Sequence, residues 1–230
     1  MKKVYRSIVF AAAVFSFCSF LPSDDCGMYI APRAGMETEY KTYDEKDKLT
    51  GTNKSKVLAV RDGGKEVEVS AESFDKKDKS VATSTYVVKC ENGNFVIDMR
   101  AMVPQESMAG FKDMKVTVEA DKLDIPSNPE PGQSLKNGTI KISSVSEGSP
   151  INMNLTMTVS NRKVEAVEDV TVPLGVFPCV KITYDAEVKM LFTVKTKVVE
   201  WYSKNVGLIK SQTFNTKDKL VGYTILNSRK

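Results

Sequence analysis

The sequence predicts an all-β protein: a strongly curved antiparallel sheet, or open half-barrel, of about a dozen strands, with at most one or two short helices. Three observations carry this. Apolar and polar residues alternate with period two along much of the chain, which marks half-buried strands. Turn signals such as Asp62-Gly63 and Asn92-Gly93 separate these runs. Finally, one phrase recurs three times: YDEKDKLTG from Tyr43, FDKKDKSVA from Phe74 and FNTKDKLVG from Phe214. Each copy places an aromatic and then Asp or Asn ahead of a Lys-Asp-Lys core. Asp and Asn favour turns because their side chains bond nearby backbone and tolerate left-handed geometry. Each copy is therefore expected at a hairpin tip. A calcium-loop reading fails, because the alternating lysines repel a cation and the loop glycine is missing. So large a sheet cannot stay flat; it curls, splits or closes.

The elements follow in order. Lys2, Lys3 and Arg6 precede an apolar run, Ile8 to Phe17, and Pro22, Asp24 and Asp25 follow it. This is the pattern of a secretory signal, expected over 1–18 with a cut between Cys18 and Ser19. The run is short for a membrane crossing. An uncleaved anchor and acylation of Cys18 are the rival readings of the same segment. The remainder, 19–230, is expected to be one all-β domain.

Met36, Thr38 and Tyr40 alternate against Glu37, Glu39 and Lys41, and Val67, Val69 and Ala71 against Glu66, Glu68 and Ser70. The first half is a meander, with strands near 36–43, 50–60, 65–74, 80–89 and 95–99. PQESMAG, from Pro104 to Gly110, is the best helix candidate, since Pro suits a first turn and Glu106 its dipole. A strand near 113–120 follows. Pro126, Pro129, Pro131 and Gly132 then mark a crossing loop.

Ile151, Met153, Leu155, Met157 and Val159 alternate without a miss. Val180, Ile182, Tyr184, Ala186, Val188, Met190, Phe192, Val194 and Val198 are also in phase. As one strand the second run would span roughly 63 Å, so a turn is expected near Lys189 to Leu191. Strands near 193–202, 206–214 and 220–226 complete the chain, and Gly207 is expected at a bulge or a tight approach.

Composition narrows the chemistry. The 230 residues contain no histidine. That removes the commonest general base, the usual serine triad and most zinc sites. No phosphate-cradling or dinucleotide glycine motif is present. Carboxylates are plentiful, but they sit in turns or on polar strand faces, where solvation explains them. We therefore expect no enzyme, no catalytic residue, no metal and no cofactor. The formal charge of +4 loses Lys2, Lys3 and Arg6 with residues 1–18, which leaves +1. Nothing in it suggests nucleic acid as a partner. Past the expected cut, Cys26, Cys90 and Cys179 allow at most one bridge within the chain, and their spacing does not say which.

FPCVKITY (Phe177 to Tyr184), EWYSKNVGLIKSQTF (Glu200 to Phe214) and KVEA (Lys163 to Ala166) resemble an uncharacterised TapB-like family. It is a domain-of-unknown-function family of exported envelope proteins in Bacteroidetes-type bacteria. The Trp-Tyr…Val-Gly-Leu-Ile-Lys element is also similar to that of the lipoprotein carriers LolA and LolB, whose curved sheet covers a hydrophobic cavity. The resemblance implies an exported β-protein in the periplasm or at the outer membrane, and brings no catalytic residues.

Methionine is in surplus, and flexible thioethers adapt to variable apolar ligands. Met114, Met153, Leu155, Met157, Met190, Phe192, Trp201 and Tyr202 are the expected ligand-binding residues on the concave face, with core packing as the plain alternative. Two functions remain. The favoured one is a non-catalytic envelope protein that binds a lipid or other apolar ligand. The other is a structural or interaction protein with a filled core, whose partner is another envelope protein.

Overall fold

The computed structural model describes residues 27–102, 115–145 and 152–230. Thirteen strands form a single sheet in which every neighbouring pair is antiparallel. They are β1 (Glu37–Asp44), β2 (Leu49–Arg61), β3 (Glu66–Asp75), β4 (Ser80–Glu91), β5 (Asn94–Asp98), β6 (Lys115–Ala120) and β7 (Lys122–Pro126). Then follow β8 (Gly138–Val145), β9 (Asn152–Val172), β10 (Gly175–Lys189), β11 (Thr193–Ser203), β12 (Gly207–Phe214) and β13 (Leu220–Arg229). Two short 3-10 turns, Asp62–Gly64 and Met99–Met102, are the helical elements among the described residues. The helix candidate at 104–110 lies outside the described residues, as does the segment 1–18.

The sheet runs β6-β8-β9-β10-β11-β12-β13-β1-β2-β3-β4-β5-β7. Its two edge strands, β6 and β7, are consecutive in the chain, with only Asp121 between them. One bent segment thus serves both edges: its first half pairs with β8, its second with β5. Asp121 holds the corner. Its N–H donates to Thr139 O at 3.0 Å, its Oδ2 accepts from the Thr139 N–H at 2.8 Å, and its carbonyl accepts from the Met99 N–H at 3.0 Å. The wall is therefore a nearly closed barrel, which removes the open edges a flat sheet would expose.

The repeated phrase makes the expected turn each time. Asp44 Oδ1 accepts from the N–H groups of Lys46 and Lys48, each at 2.9 Å. Asp75 Oδ1 does the same for Lys77 and Lys79, and Asn215 Oδ1 for Lys217 and Lys219. The Asp of each Lys-Asp-Lys core takes a left-handed φ: 59° at Asp47, 58° at Asp78 and 53° at Asp218. The three turns close β1–β2, β3–β4 and β12–β13. These six strands are neighbours, so the turns line one end of the barrel, and the β10–β11 turn joins them there.

The opposite end is plugged. Met28, Tyr29 and Ala31 are buried in it. Tyr29 packs edge-on against Phe95 and Tyr202, with ring centroids 5.9 and 6.2 Å apart. Its hydroxyl donates to Pro126 O at 3.4 Å. The main core lies inside this end, with Val57, Val67, Val69, Val88, Val164 and Ile182 at its centre. A third cluster, Met99, Leu123, Ile140, Ile142 and Val159, packs beneath the bent corner. There Gly138 admits no side chain, because a Cβ would stand 2.7 Å from both Leu123 Cδ2 and Met99 Sδ.

The structure departs from expectation at three places. The crossing loop is flanked by two strands, β7, which ends at Pro126, and β8, which begins at Gly138. The β9 strand runs to Val172 rather than stopping near Val159, and β10 begins at Gly175 rather than Val180. The extra length of β9 and β10 forms a flap. Residues 175–179 have no β11 partner, and the end of β9 lies against β12 and β13. This flap buries a second cluster around Val172, Cys179, Val199 and Trp201. Cys179 belongs to that cluster and Val180 to the main core. Neighbours on a strand point to opposite faces, so β10 is buried on both sides here.

Candidate functional site

The plugged end holds a partly open cavity of about 360 Å3. Strands β1 to β5, β7 and β9 to β12 contribute walls, and the segment Tyr29–Ala31 forms part of its end. Most of the wall is apolar or aromatic: Met36, Val57, Val69, Val88, Phe95 and Ile125 face Tyr40, Tyr86, Tyr184 and Tyr202. Short side chains, Ala71 and Ser84, leave the middle open. Gly207 makes the expected tight approach, and the bulge falls two residues on, at Ile209. The β11–β12 register shifts between Trp201 and Tyr202, and Gly207 takes φ 117° close to Tyr40 Oη and Tyr29 O.

Three charged side chains line this wall: Lys54, whose Nζ lies 4.8 Å from the Phe74 ring centroid, Glu200 and Arg162. Glu200 on β11 accepts a hydrogen bond from the Tyr202 hydroxyl at 3.0 Å, and the Tyr184 hydroxyl also bonds to it. Burial pushes the Glu200 carboxyl above the usual carboxylate range, against the opposing pull of the two tyrosines and of Arg162. The same burial, with the Glu200 charge beside them, holds the Tyr184 and Tyr202 hydroxyls well above their ordinary value. Arg162 on β9 is buried. Its Nη1 donates to Lys136 O at 2.7 Å and its Nη2 to Asp124 O at 2.9 Å. Asp124 Oδ1 stands 3.8 Å from Nη1. Burial draws the guanidinium pKa down, while Tyr202, Asp124 and Glu200 oppose the shift. The cavity is thus greasy, with one polar pole where a carboxyl, two phenols and a guanidinium converge.

The expected site residues are scattered. Tyr202 lines the cavity. Trp201, one residue away, points to the other face and is fully accounted for there. Its Nε1–H donates to Glu168 Oε1 at 2.7 Å, and Lys181 and Lys210 Nζ stand 5.3 and 5.4 Å from its ring. Leu155 and Met157 pack against the third cluster. Met153 occupies the β9 position opposite Ser144. Met190 and Phe192 sit exposed at the β10–β11 turn, at the far end from the cavity. Met114 lies outside the described residues.

Sequence reasoning missed Glu200 and Arg162. Glu200 had a signal: counting by two from Val198 leads through Glu200 to Tyr202, the same inward row. Arg162 had none, because β9 carries an extra residue there: Thr183 pairs with Lys163 but Asp185 with Ser160, and Asn161 takes φ 53°, so the alternation that runs to Val159 is reset.

The cysteines are also placed. Cys179 is free and buried, and burial with Asp169 and Glu168 nearby pushes its thiol up to about 12. Cys90 is disulfide-bonded. Among the described residues no group of three or more Cys, Asp or Glu side chains is placed to hold a metal ion.

Two solved structures share the fold. One is a protein from Bacteroides fragilis, described as exported and as having a YmcC-like fold. It is 24% identical, with a TM-score of 0.71, over 88% of this chain and 99% of that one. The other, from Parabacteroides distasonis, is described as a lipoprotein. It is 22% identical, with a TM-score of 0.74, over 90% of this chain and 100% of that one. At these identities the likeness speaks for the fold. No curated protein matches the chain. Neither the TapB-like name nor the likeness to LolA and LolB finds support in these matches. The profile that fits, over residues 33–226, is described as DUF3108-like, and the chain belongs to that family.

Proposed function

We propose that this is an exported envelope protein that holds a small apolar molecule, lipid or lipid-like, in the cavity of its plugged end and does not transform it. The observation that carries this reading is the unfilled volume of about 360 Å3 lined mostly by apolar and aromatic side chains. That volume falls at the lower end of small-molecule sites, which span roughly 300–1,000 Å3. It suits one short amphiphile better than a whole diacyl lipid. The apolar wall would take the tail. Glu200, Tyr184 and Tyr202 would offer hydrogen bonds to a polar head.

Export is supported by the signal-like pattern of residues 1–18 and by the descriptions of the two structural neighbours. The disulfide at Cys90 suits an oxidising compartment. The alternative, a structural protein with a filled core, has the open cavity against it.

Native mass spectrometry on protein taken from its own envelope tests the proposal. We expect an added small mass that is absent from an Ala71→Phe variant, whose ring would occupy the cavity. A bare wild-type chain from that source would count against ligand binding.

A further inference from the structure

The turn-lined end of the barrel carries apolar side chains that no core explains. Met190, Leu191 and Phe192 are 52%, 98% and 71% exposed. They form the tip of the β10–β11 hairpin, and that hairpin projects. Lys197 pairs with Phe214, the last residue of β12, so residues 193–196 of β11 run past their neighbour. Four residues of strand add about 13 Å of reach. Val81 and Val221, each two residues beyond the last lysine of its turn, are exposed at the same rim.

The rim is also basic. The three repeated turns and the flanks of the hairpin hold ten lysines: 46, 48, 76, 77, 79, 189, 195, 197, 217 and 219. Against them stand seven acids: Asp44, Glu45, Asp47, Asp75, Asp78, Glu187 and Asp218. Cross-contacts tie these elements into one surface. Lys197 Nζ lies 3.9 Å from Asp218, and the Tyr223 hydroxyl donates to Asp47 Oδ1 at 2.8 Å. The flap at the opposite end makes the contrast. Val167, Leu174 and Val176 are exposed there too. However, residues 164–180 carry three acids and no base.

We propose that the β10–β11 hairpin is a membrane-docking finger: Met190, Leu191 and Phe192 enter the interfacial layer of a bilayer, and the lysines of the rim meet anionic headgroups. Three tip side chains are too few for a protein partner, whose footprint runs to about 800 Å2 a side. A bilayer needs no such footprint. It takes apolar side chains beneath a ring of positive charge without shape complementarity. The finger is independent of the cavity and of whatever fills it.

The test reads the tip itself, because the apolar run Ile8–Phe17 would bring the full chain to vesicles unaided. An environment-sensitive fluorophore is attached to a Leu191→Cys chain and, separately, to a Leu174→Cys chain. Cys179 is buried and Cys90 is bonded, so neither competes for the label; of Cys18 and Cys26, the one not bonded to Cys90 is replaced by Ser in both chains. Vesicles are phosphatidylcholine alone or mixed with phosphatidylglycerol. We expect a blue shift at position 191 with the mixed vesicles, reversed by salt because surface charge is screened, and none at position 174. Replacing Lys77, Lys79, Lys217 and Lys219 by Gln should raise the lipid concentration for half-maximal shift at least about tenfold. No shift at position 191 overturns the proposal. So does an equal shift at both positions, or a shift at 191 that ignores phosphatidylglycerol.

Discussion

The two ends of this barrel are stabilised by different physics. The plugged end is held by burial: Val67, Val164 and Ile182 have almost no exposed surface, and aromatic rings wedge the entrance. The turn end is held by local hydrogen bonds. Three copies of one phrase each satisfy their own backbone with a single side-chain oxygen. A chain built this way can carry a binding volume at one end and variable surface chemistry at the other, because neither depends on the other's packing.

The difference can be broken or sharpened by substitution. The largest effect belongs to the packed end. Ile182→Ala should lower unfolding free energy by about 3 kcal/mol, read from urea denaturation. A cost no larger than that of a turn variant would erase the contrast. Gly138→Ala comes next at about 2 kcal/mol, because its methyl would collide with Leu123 and Met99 at the bent corner.

The third effect is one of pH, and the two ends respond with opposite signs. The Glu200 carboxyl titrates higher folded than unfolded, so the folded chain binds the extra proton. Its contribution is present at low pH. It is lost as pH rises from the usual carboxylate range through the raised value. Glu200→Gln should flatten that stretch of a melting-temperature profile. Asp44 and Asp75 titrate lower, held down by the backbone N–H groups of Lys48 and Lys46 and of Lys79 and Lys77. Their contribution is present above the usual carboxylate range and is lost as pH falls through the lowered values. Asp75→Asn should keep the turn, as Asn215 does, and remove its share of the acid response.

Smaller still is Asn215→Ala, which removes two hydrogen bonds from one exposed turn and should cost about 1 kcal/mol. Last, Leu191→Ser should change stability by less than about 0.5 kcal/mol. A tip that touches nothing holds nothing up. A larger loss would mean that the finger packs on the rim instead of projecting from it.

Much of the wall was legible in the residues. The Lys-Asp-Lys phrases marked three hairpin tips, and the unbroken alternation from Val180 forced a turn that falls at Met190–Phe192. Strands β7 and β8 were not legible. KLDIP offers two apolar side chains in five residues, and GTIKISSV follows a proline-rich run that reads as loop. The second half of β9 was also missed, since KVEAVEDVTV is buried on one side by a flap that only tertiary contacts create.

The site was less legible than the wall. Trp201 and Tyr202 were grouped by chemistry, although adjacent strand residues face apart. Glu200 was set aside as solvated charge, as an acid on a strand usually is. Met190 and Phe192 lay in phase with the inward row, but phase carries no information once the strand has left the barrel.

The place of β13 has a consequence for how the molecule comes into being. It sits between β12 and β1, and Thr38 there pairs with Arg229. The first strand to leave the ribosome therefore waits for the thirteenth before its outer row of hydrogen bonds can form. Contacts so distant along the chain make assembly slow, and until the thirteenth strand docks, the half-made wall offers an unpaired strand to other chains.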